Sequence, residues 1–358
     1  MAGKKKKQTG KKLPWWAVLL VLAAVFAVQY LGGKTEEQPA PTAQVQQTPS
    51  GETLTVRFLD VGQGDSILLS CGDEMMLIDG GPVEEGQFLV SRLNRLDVTE
   101  LTYVVNTHPD EDHCGGLAAV LAKYPAEHVY SSVTEYTTKV FSNVVKYADE
   151  QGHPVEVPQT GDSWTLGSAS VQVIGPVQTY SDPNNGSLVL RVDYGGTSFL
   201  FTGDMEQKAE ADLMDSGANM RADVLKVGHH GSPTSSSEAF LEAVAPSIAV
   251  ISVGKDNDYG HPGADVLARL EALGAAIYRT DTQGEIIITS DGQTLTVTTD
   301  PTSREPTAGK DAPFIGNRNS MIVHSANCAK LPGEDNRVYF NTAEEAEEYG
   351  YQKHTCIK

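Results

Sequence analysis

The sequence predicts an α/β domain. Short apolar runs with the spacing of strands recur along the chain, among them Leu54–Phe58 and Leu101–Asn106. Between these runs lie segments in which apolar residues recur every three or four positions, which is the period of a helix. Glycine-rich clusters with acidic, amide or imidazole side chains follow several of the runs directly. Because strands that alternate with helices are typical of α/β proteins, we expect that fold class, with the candidate functional residues on loops beside strands.

The composition is that of a globular protein with an acidic surface. Of the 358 residues, 40% are hydrophobic and 21% are charged, and the formal net charge is −20. Six lysines lie within the first twelve residues, so the chain beyond residue 32 carries 21 basic and 47 acidic residues. Because an acidic surface repels a phosphate backbone, this composition argues against strong non-specific DNA binding. A nuclease function would have to depend on a metal site and a local basic patch.

The N-terminal segment predicts a membrane anchor. Residues 1–12 carry the six lysines, and residues 13–31 are uncharged and mostly apolar, with tryptophan and tyrosine near their ends. This pattern predicts one transmembrane span over residues 13–32, with the lysines in the cytoplasm and the rest of the chain outside the cell. A signal peptide cleaved near Ala27 is the alternative, and it would make the protein secreted. Residues 33–52 are rich in Gln, Thr, Pro and Glu without periodicity, which predicts a disordered tether.

The globular part begins with three predicted strands, at residues 54–58, 67–70 and 75–78. The glycines of Gly62-Gln63-Gly64-Asp65 predict a tight turn after the first strand, and Asp79-Gly80-Gly81 ends the third. Leucines at positions 89, 93 and 96 then mark a helix. Glycine turns of this kind let backbone amides approach a phosphate, although Gly-x-Gly is also common in plain hairpins.

The loop after the next predicted strand carries the strongest functional signal in the chain. The segment from Thr107 to Gly116 reads Thr-His-Pro-Asp-Glu-Asp-His-Cys-Gly-Gly, and a helical run follows it from about Leu117. Its potential ligands are two imidazoles and two carboxylates within six residues: His108, Asp110, Asp112 and His113. Imidazole together with carboxylate suits divalent Zn, Mn or Fe. A merely solvated acidic loop would not need both histidines at this spacing, so we expect a metal site.

Four further clusters lie beside predicted strands in the second half of the chain. They are Asn184-Asn185-Gly186-Ser187, Gly203-Asp204, His229-His230-Gly231-Ser232 and Tyr259-Gly260-His261-Pro262. The apolar runs that flank them predict strands at residues 188–192, 199–202, 223–227 and 248–253. Helices are expected over residues 140–148 and 266–273, and a closing hairpin turns at Asp291-Gly292. Asp204 alone would indicate no more than an Asx turn, so its candidacy depends on the other motifs.

Taken in order, these motifs resemble the metallo-β-lactamase superfamily over residues 54–299. The usual signature of that family is His-x-His-x-Asp-His, and here Asp110 takes the place of the second histidine. With this replacement the loop is similar to the branch that contains the hydrolase domain of ComEC-type competence proteins. The resemblance implies a four-layer αββα sandwich over residues 53–299 and a binuclear centre whose metals activate water.

The resemblance also implies a ligand set. His108 and Asp110 would hold one metal, and Asp204 would bridge the two metals. Asp112, His113 and His261 would hold the other metal. His261 is chosen as the last ligand because a helix and strands separate it from Asp204, and His229 remains the alternative.

Other residues would support catalysis or bind substrate. His229 is the candidate proton donor, His230 would support it, and Asp79 would support the ligands from behind. The candidate substrate contacts are Gln63, Asp65, Asn185, Ser187 and Ser232. No histidine occurs near Asn185, where most of the superfamily has a ligand. Because oxygen replaces nitrogen at two positions, we expect the two divalent metals to be Mn²⁺ or Zn²⁺ with a preference shifted toward Mn²⁺.

A small α+β module is expected at residues 314–358, after a linker at residues 300–313 that is rich in Pro, Thr, Ser and Gly. Thr342 and Glu345 form a capping box for a helix over residues 343–349. Two histidines and two cysteines bracket that helix: His324, Cys328, His354 and Cys356. The module resembles small Ada-type metal-binding modules, which usually carry more cysteine. A structural Zn and a Cys328–Cys356 disulfide are both open.

These observations predict a membrane-anchored extracellular metal-dependent hydrolase. The resemblance favours a phosphodiester substrate, with DNA as the expected partner. One alternative is a phosphodiesterase acting on wall teichoic acid or phosphorylcholine, since the chain lacks the many membrane spans of a ComEC channel. Another is a non-enzymatic protein that binds wall polymer or DNA through residues 314–358. The oligomeric state is not predicted.

Overall fold

A computed structural model of the protein describes residues 51–304 and 308–357. The predicted cytoplasmic tail, the predicted span at residues 13–32 and most of the predicted tether lie outside the described residues. Among the helices of the described part, none is both long and apolar enough to cross a membrane.

Two seven-stranded sheets form the centre of the described chain. In chain order the strands are β1 (Leu54–Phe58), β2 (Ile67–Cys71), β3 (Glu74–Ile78), β4 (Leu101–Asn106), β5 (Ala126–Ser131), β6 (Ser163–Leu166), β7 (Ala169–Gly175), β8 (Val189–Tyr194), β9 (Thr197–Phe201), β10 (Val224–Lys226), β11 (Ile248–Ile251), β12 (Ala276–Arg279), β13 (Glu285–Ser290) and β14 (Leu295–Asp300). The first sheet has the order β14-β13-β1-β2-β3-β4-β5, and the second has the order β12-β11-β10-β9-β8-β7-β6.

Helices cover the outer face of each sheet. They are α1 (Gly86–Arg95), α2 (Glu111–Cys114), α3 (Leu117–Lys123), α4 (Lys139–Glu150), α5 (Gln207–Asp215), α6 (Glu238–Val244), α7 (Ala264–Ala272) and α8 (Thr280–Gln283). Buried side chains of α1, α3 and α4 pack with outward-facing residues of the first sheet. Those of α5, α6 and α7 pack in the same way on the second sheet. A third core lies between the sheets, where the rings of Phe58 and Phe201 are 6.2 Å apart. The layers therefore follow the order αββα, and the predicted α/β sandwich is confirmed.

The strand directions place the candidate ligands beyond the carboxyl ends of strands in each sheet. Strands β3, β4 and β5 run parallel to one another, as do β9, β10, β11 and β12. The loop with His108 and His113 follows β4, while Asp204 follows β9 and the two adjacent histidines follow β10. In open sheets with parallel strands, ligands bind outside the carboxyl ends of the strands. Both sheets therefore contribute to one candidate site.

Glycine is required where the loops after β3 and β4 meet. The Gly80 amide donates to the His113 carbonyl at 2.7 Å, and the Gly116 amide donates to the Gly81 carbonyl at 2.9 Å. A β-carbon on Gly116 would lie 2.1 Å from the Gly80 carbonyl oxygen, closer than any real contact. The glycines in both motifs therefore allow the ligand loop to dock against the end of β3.

The predicted C-terminal module contains a small sheet and one helix. Its strands pair in the order β17-β15-β16-β18, and its elements are β15 (Phe314–Asn317), β16 (Ile322–Ser325), β17 (Arg337–Phe340), α9 (Ala343–Glu348) and β18 (Gln352–Lys353). The Thr342 hydroxyl accepts the Glu345 amide at 2.9 Å, as the capping box requires. The Arg95 guanidinium on α1 lies 3.9 Å from the centre of the Tyr349 ring. All described residues belong to one compact unit, so the division at residues 299 and 314 stays a prediction.

Candidate metal centre

The buried carboxylate of Asp79 organises the loop that carries the predicted ligands. One oxygen accepts the Thr107 amide at 2.7 Å and the Asn106 side-chain amide at 3.1 Å. The other accepts the Thr107 hydroxyl at 2.7 Å and lies 2.8 Å from His113 Nδ1. Because Nδ1 of His113 is engaged by Asp79, its Nε2 is left to face Asp204, whose Oδ1 is 3.1 Å away.

Four side chains bring potential ligand atoms together: Asp112, His113, Asp204 and His230. These atoms all lie within 4.8 Å of one another. The Nε2 atoms of His113 and His230 are 3.3 Å apart. His230 Nε2 is also 3.3 Å from Asp112 Oδ2 and 3.5 Å from Asp204 Oδ2. Two members of this metal cluster follow β4, one follows β9 and one follows β10, so the cluster joins the two sheets.

The spacing within the metal cluster fits a divalent cation. Two imidazole nitrogens that are each about 2.0–2.1 Å from a tetrahedral cation lie about 3.4 Å apart, close to the separation of the two Nε2 atoms. The far nitrogen of each ring is held, since His230 Nδ1 donates to the Ser252 carbonyl at 3.0 Å and His113 Nδ1 contacts Asp79. Hydrogen bonds of this kind fix the ring and leave Nε2 as the ligand atom.

The charge around the two rings also favours a cation. Carboxylates that contact them are Asp65, Asp79, Asp112 and Asp204. Burial opposes ionisation of Asp204, but His230 and His113 hold its pKa well below the ordinary value. Burial likewise opposes charge on both rings, but Asp204 and the other carboxylates raise the pKa of His113 and of His230 well above the ordinary value. A bound cation would replace these protons, so metal binding must release protons.

His108 and Asp110 offer a second, looser pair of ligands. His108 Nδ1 lies 3.1 Å from the Thr107 hydroxyl and 3.4 Å from the Ser187 hydroxyl. Its Nε2 is buried without a hydrogen-bond partner among the described residues, and Asp110 Oδ2 is 3.8 Å away. Burial, together with His113, lowers the pKa of His108 to about 4, so the ring is neutral at neutral pH. A neutral imidazole with a buried, unpaired nitrogen is suited to bind metal.

His229 and His230 occupy a turn with unusual backbone geometry. Their φ angles are 49° and 52°, and Gly231 follows with 79°. Left-handed backbone costs on the order of 1 kcal/mol for each histidine, and strain of this kind is concentrated at functional sites. The turn directs the two adjacent rings differently, at an interplanar angle of 72°. His230 enters the metal cluster, whereas His229 is partly exposed with Nε2 3.6 Å from Asp204 and Nδ1 3.3 Å from Glu206.

His261 lies outside the metal cluster. Its ring packs against His229 with centroids 5.8 Å apart, and against Tyr259 with centroids 5.7 Å apart. None of the ligand groups formed by the described residues includes it. Burial and the neighbouring His229 lower its pKa.

A cavity of about 500 Å³ adjoins the ligand loop on the side of Pro109. Its lining includes Tyr136, Tyr180 and Gly186, and Asp182 is the one charged residue among the described residues that line it. Pro109 lies between His108 and Asp110 in the sequence, so the cavity adjoins the ligand loop.

The C-terminal module brings its two histidines and two cysteines together, as predicted. The ligand atoms of His324, Cys328, His354 and Cys356 lie within 4.8 Å of one another, and both cysteines are free thiols. The sulfur of Cys328 accepts the Lys330 amide and that of Cys356 accepts the Ser325 amide, each at 3.4 Å. His324 Nδ1 is buried and has no hydrogen-bond partner among the described residues. The donor set therefore suits a tetrahedral structural metal.

Comparison with known proteins agrees with this geometry. The family model described as the metallo-beta-lactamase superfamily matches residues 59–255, more than half of the chain. The chain belongs to the metallo-beta-lactamase superfamily. It is 32% identical over 250 residues to ComE operon protein 3 of Bacillus subtilis, covering 64% of this chain and 32% of that protein. It is 35% identical over 274 residues to competence protein ComA of Neisseria gonorrhoeae, covering 76% of this chain and 35% of that protein.

The match to these curated relatives therefore spans about a third of their length. Among solved structures, the metallo-beta-lactamase fold protein YhfI from Bacillus subtilis is 10% identical with a TM-score of 0.42. That likeness covers 69% of this chain and 100% of YhfI. The family expected from the sequence motifs is confirmed, and so is the resemblance to competence proteins.

Within this metallo-beta-lactamase domain, three of the predicted substrate contacts are buried and contact other groups of the protein. Asp65 is only 1% exposed, and its carboxylate lies 2.8 Å from the Lys226 ammonium. Asn185 accepts the Ala209 amide at 3.2 Å near the start of α5. The buried Ser187 hydroxyl accepts the Asp204 amide at 3.1 Å, which helps to hold that carboxylate. The three side chains are buried and contact other groups of the protein, and their contact with substrate stays a prediction.

The other two predicted contacts are Gln63, which is partly exposed, and Ser232, which follows the turn at His229 and His230. Gln63 is partly exposed, and its side-chain oxygen accepts the Gly254 amide at 3.1 Å. Ser232 is buried, and its hydroxyl accepts the Thr234 amide at 3.3 Å. Of the five predicted contacts, Gln63 is therefore the one with a partly exposed side chain.

Two residues of the site were not predicted from the sequence. Lys226 is fully buried and pairs with Asp65, whose other oxygen lies 3.4 Å from His230 Nδ1. Glu206 contacts His229 and accepts the Thr234 hydroxyl at 2.7 Å. For Lys226 the available signal was a lysine within an apolar strand three residues before His229, because a buried lysine requires a carboxylate partner.

The geometry predicts that His230, and not His261, binds metal. His230→Ala should weaken metal binding by tenfold or more, because loss of even a supporting partner costs about 10–100-fold. His261→Ala should keep the wild-type metal content and serves as the matched control. Elemental analysis of both full-length variants after dialysis against a weak chelator measures the difference. Loss of metal from His261→Ala with retention by His230→Ala would restore the ligand assignment made from the sequence.

The C-terminal module is expected to bind one Zn per chain. Cys356→Ser should remove about one zinc from the full chain and leave the metal cluster loaded, since the two sites share no residue. His153→Ala, at an exposed position outside both sites, is the control. Elemental analysis and thiol titration of the denatured protein measure the result. A wild-type protein without this zinc and without titratable thiols at positions 328 and 356 would show the disulfide instead.

Proposed function

We propose that this chain is a metal-dependent phosphodiesterase that hydrolyses nucleic acid. The observation that carries the proposal is the convergence of Asp112, His113, Asp204 and His230 at the carboxyl ends of strands from both sheets. The superfamily fold alone hosts many reactions, so the substrate class must come from elsewhere. The relatives named ComE operon protein 3 and competence protein ComA favour a nucleic acid substrate.

Two cations would be held by the described residues. Asp112, His113 and His230 would hold the first, and His108 and Asp110 the second. Asp204 would contribute to both sites, since a carboxylate has two oxygens. Divalent cations at these positions supply Lewis acidity for the phosphodiester and a water of lowered pKa. Because Asp110 and the Asn185 region stand where most of the superfamily has histidine ligands, the second site is rich in oxygen and would favour Mn²⁺.

We infer that His229 donates the proton to the leaving group. Its side chain is 23% exposed, so it can reach a substrate that the buried rings cannot. Glu206 Oε1 lies 3.3 Å from Nδ1 and can hold a proton there, which leaves Nε2 for the leaving oxygen. Nε2 is 3.6 Å from Asp204 Oδ2, which puts the transferable proton next to the metal cluster. The contacts of His229 with Asp204 and Glu206, together with its partial exposure, therefore support it as the general acid.

We further propose that residues 13–32 anchor the protein in the cell membrane and that the catalytic domain lies outside the cell. The support is the sequence alone, with lysines on one side of an uncharged segment. In intact cells, added protease should remove the chain beyond residue 53, as followed with an antibody against the domain. Lysed cells supply the control for complete digestion. Full protection in intact cells would contradict the proposed topology.

The stripped full-length protein should regain phosphodiesterase activity with Mn²⁺, and less well with Zn²⁺. Parallel substrates are single-stranded DNA, double-stranded DNA, bis(p-nitrophenyl) phosphate and a wall-type glycerol phosphate polymer. Hydrolysis of DNA above the polymer supports the proposal, with Asp204→Asn as the inactive control. Turnover of the polymer alone would contradict the nucleic acid substrate. Activity restored by Zn²⁺ alone would contradict the expected preference of the oxygen-rich site for Mn²⁺.

His229→Ala should keep the wild-type metal content yet slow the hydrolysis of DNA by roughly 10²–10⁴-fold, the range for loss of a general acid. The p-nitrophenolate leaving group hardly needs a proton, so the defect should shrink on bis(p-nitrophenyl) phosphate when chemistry limits the rate. Turnover numbers on both substrates, with metal content measured in the same samples, give the comparison. An equal defect on both substrates would contradict the proton-donor role.

A further inference from the structure

The motif Tyr259-Gly260-His261-Pro262 is not used by the metal cluster, yet it adjoins the site. The Tyr259 ring stacks on His261 with centroids 5.7 Å apart and planes inclined by 20°. The His261 ring meets His229 edge-on, with centroids 5.8 Å apart. His229 in turn lies 3.6 Å from Asp204. The three rings therefore form a continuous row from the metal cluster to the surface, which we call the aromatic row.

Tyr259 ends this row in solvent. Its side chain is 71% exposed, the largest exposure among the large hydrophobic residues in the described chain. An exposed aromatic ring offers a surface that an apolar or aromatic ligand can cover with a gain in free energy.

The loop holds Tyr259 in place. The Asn257 side-chain oxygen accepts the amides of Tyr259 and His261, at 3.2 and 3.0 Å. The amide nitrogen of the same side chain donates to the carbonyls of Gly254 and His261, at 3.0 and 2.8 Å. Four hydrogen bonds from one side chain thus fix the loop on both sides of the tyrosine. A loop whose backbone is already fixed loses little conformational entropy when a ligand stacks on its tyrosine.

We propose that the aromatic row, ending in Tyr259, is a stacking platform for an unpaired base of single-stranded nucleic acid. This inference rests on the proposed phosphodiesterase function and names the form of its substrate. Bases of a duplex are already stacked and paired, whereas an unpaired base offers a free face to an aromatic ring. The row leads from such a base toward Asp204 and His229, where the phosphodiester would react.

This surface is better suited to stacking with a base than to electrostatic attraction of a phosphate backbone. The loop from Gly254 to His261 contains one lysine and two aspartates, and the whole chain has a net charge of −20. Such a surface gives a phosphate backbone little electrostatic attraction. Stacking on an aromatic ring is independent of that charge and tolerates any base. The platform therefore explains how an acidic protein could retain single-stranded nucleic acid at its metal centre.

The test compares the full-length wild-type protein with Tyr259→Ala and Tyr259→Phe. Binding of a labelled single-stranded oligonucleotide to chelator-treated protein is measured by fluorescence anisotropy, and KM and kcat are measured with Mn²⁺. Tyr259→Ala should weaken binding and raise KM by about tenfold, with kcat changed little, while Tyr259→Phe should restore wild-type values. Leu273→Ala, another exposed apolar residue, is the control for loss of surface area.

A second series removes one base at a time from the oligonucleotide. At one position relative to the cleaved bond, an abasic site should weaken wild-type binding as much as Tyr259→Ala does, and the two changes together should not add. Unchanged binding and KM in Tyr259→Ala, with the wild type still cleaving single-stranded DNA, would overturn the platform alone. Wild-type protein that neither binds nor cleaves nucleic acid would overturn the proposed function and the platform with it.

Discussion

The candidate site depends on one buried carboxylate, that of Asp79. It receives three hydrogen bonds from Asn106 and Thr107 and contacts His113, so all four contacts come from three residues at the end of β4 or in the segment after it. A buried charge without such partners would be strongly destabilising. The ligand loop therefore has to close over the end of β3, where Gly80 and Gly116 allow the backbones to touch. With that closure, the ring of His113 is turned toward the second sheet.

The metal cluster is therefore formed by residues that follow strands of both sheets. Asp112 and His113 lie on α2, directly after β4 of the first sheet, and Asp204 and His230 follow strands of the second. Behind His230, the buried pair of Lys226 and Asp65 joins β10 to the turn after β1. This ion pair connects an element of each sheet. Removing one partner of a buried ion pair costs about 3–5 kcal/mol of stability, so the connection is a strong one. Packing between the sheets thus sets the separation of the ligands, and a cation there would cross-link the two halves of the fold.

Much of this arrangement can be predicted from the sequence, because local patterns determine the strands, the ligand loop and the capping box at Thr342. The hairpin β6–β7 was not predicted, since its exposed strand Ser163–Leu166 carries little apolar signal. The contrast between His230 and His261 could not be predicted either. It depends on left-handed backbone at two successive non-glycine residues, which no local pattern specifies. Asp65 was predicted only as a substrate contact, and its pairing with Lys226 beside His230 arises from tertiary packing that no local pattern specifies.

The central claim is that His113, His230, Asp112 and Asp204 bind a divalent cation between the sheets. Anomalous diffraction at the manganese absorption edge, from crystals of the full-length protein loaded with Mn²⁺, tests it most directly. The account predicts a strong peak within coordination distance of those four side chains, with His261 outside that distance. A peak coordinated by His261 instead of His230, or no peak between the two sheets, would contradict it.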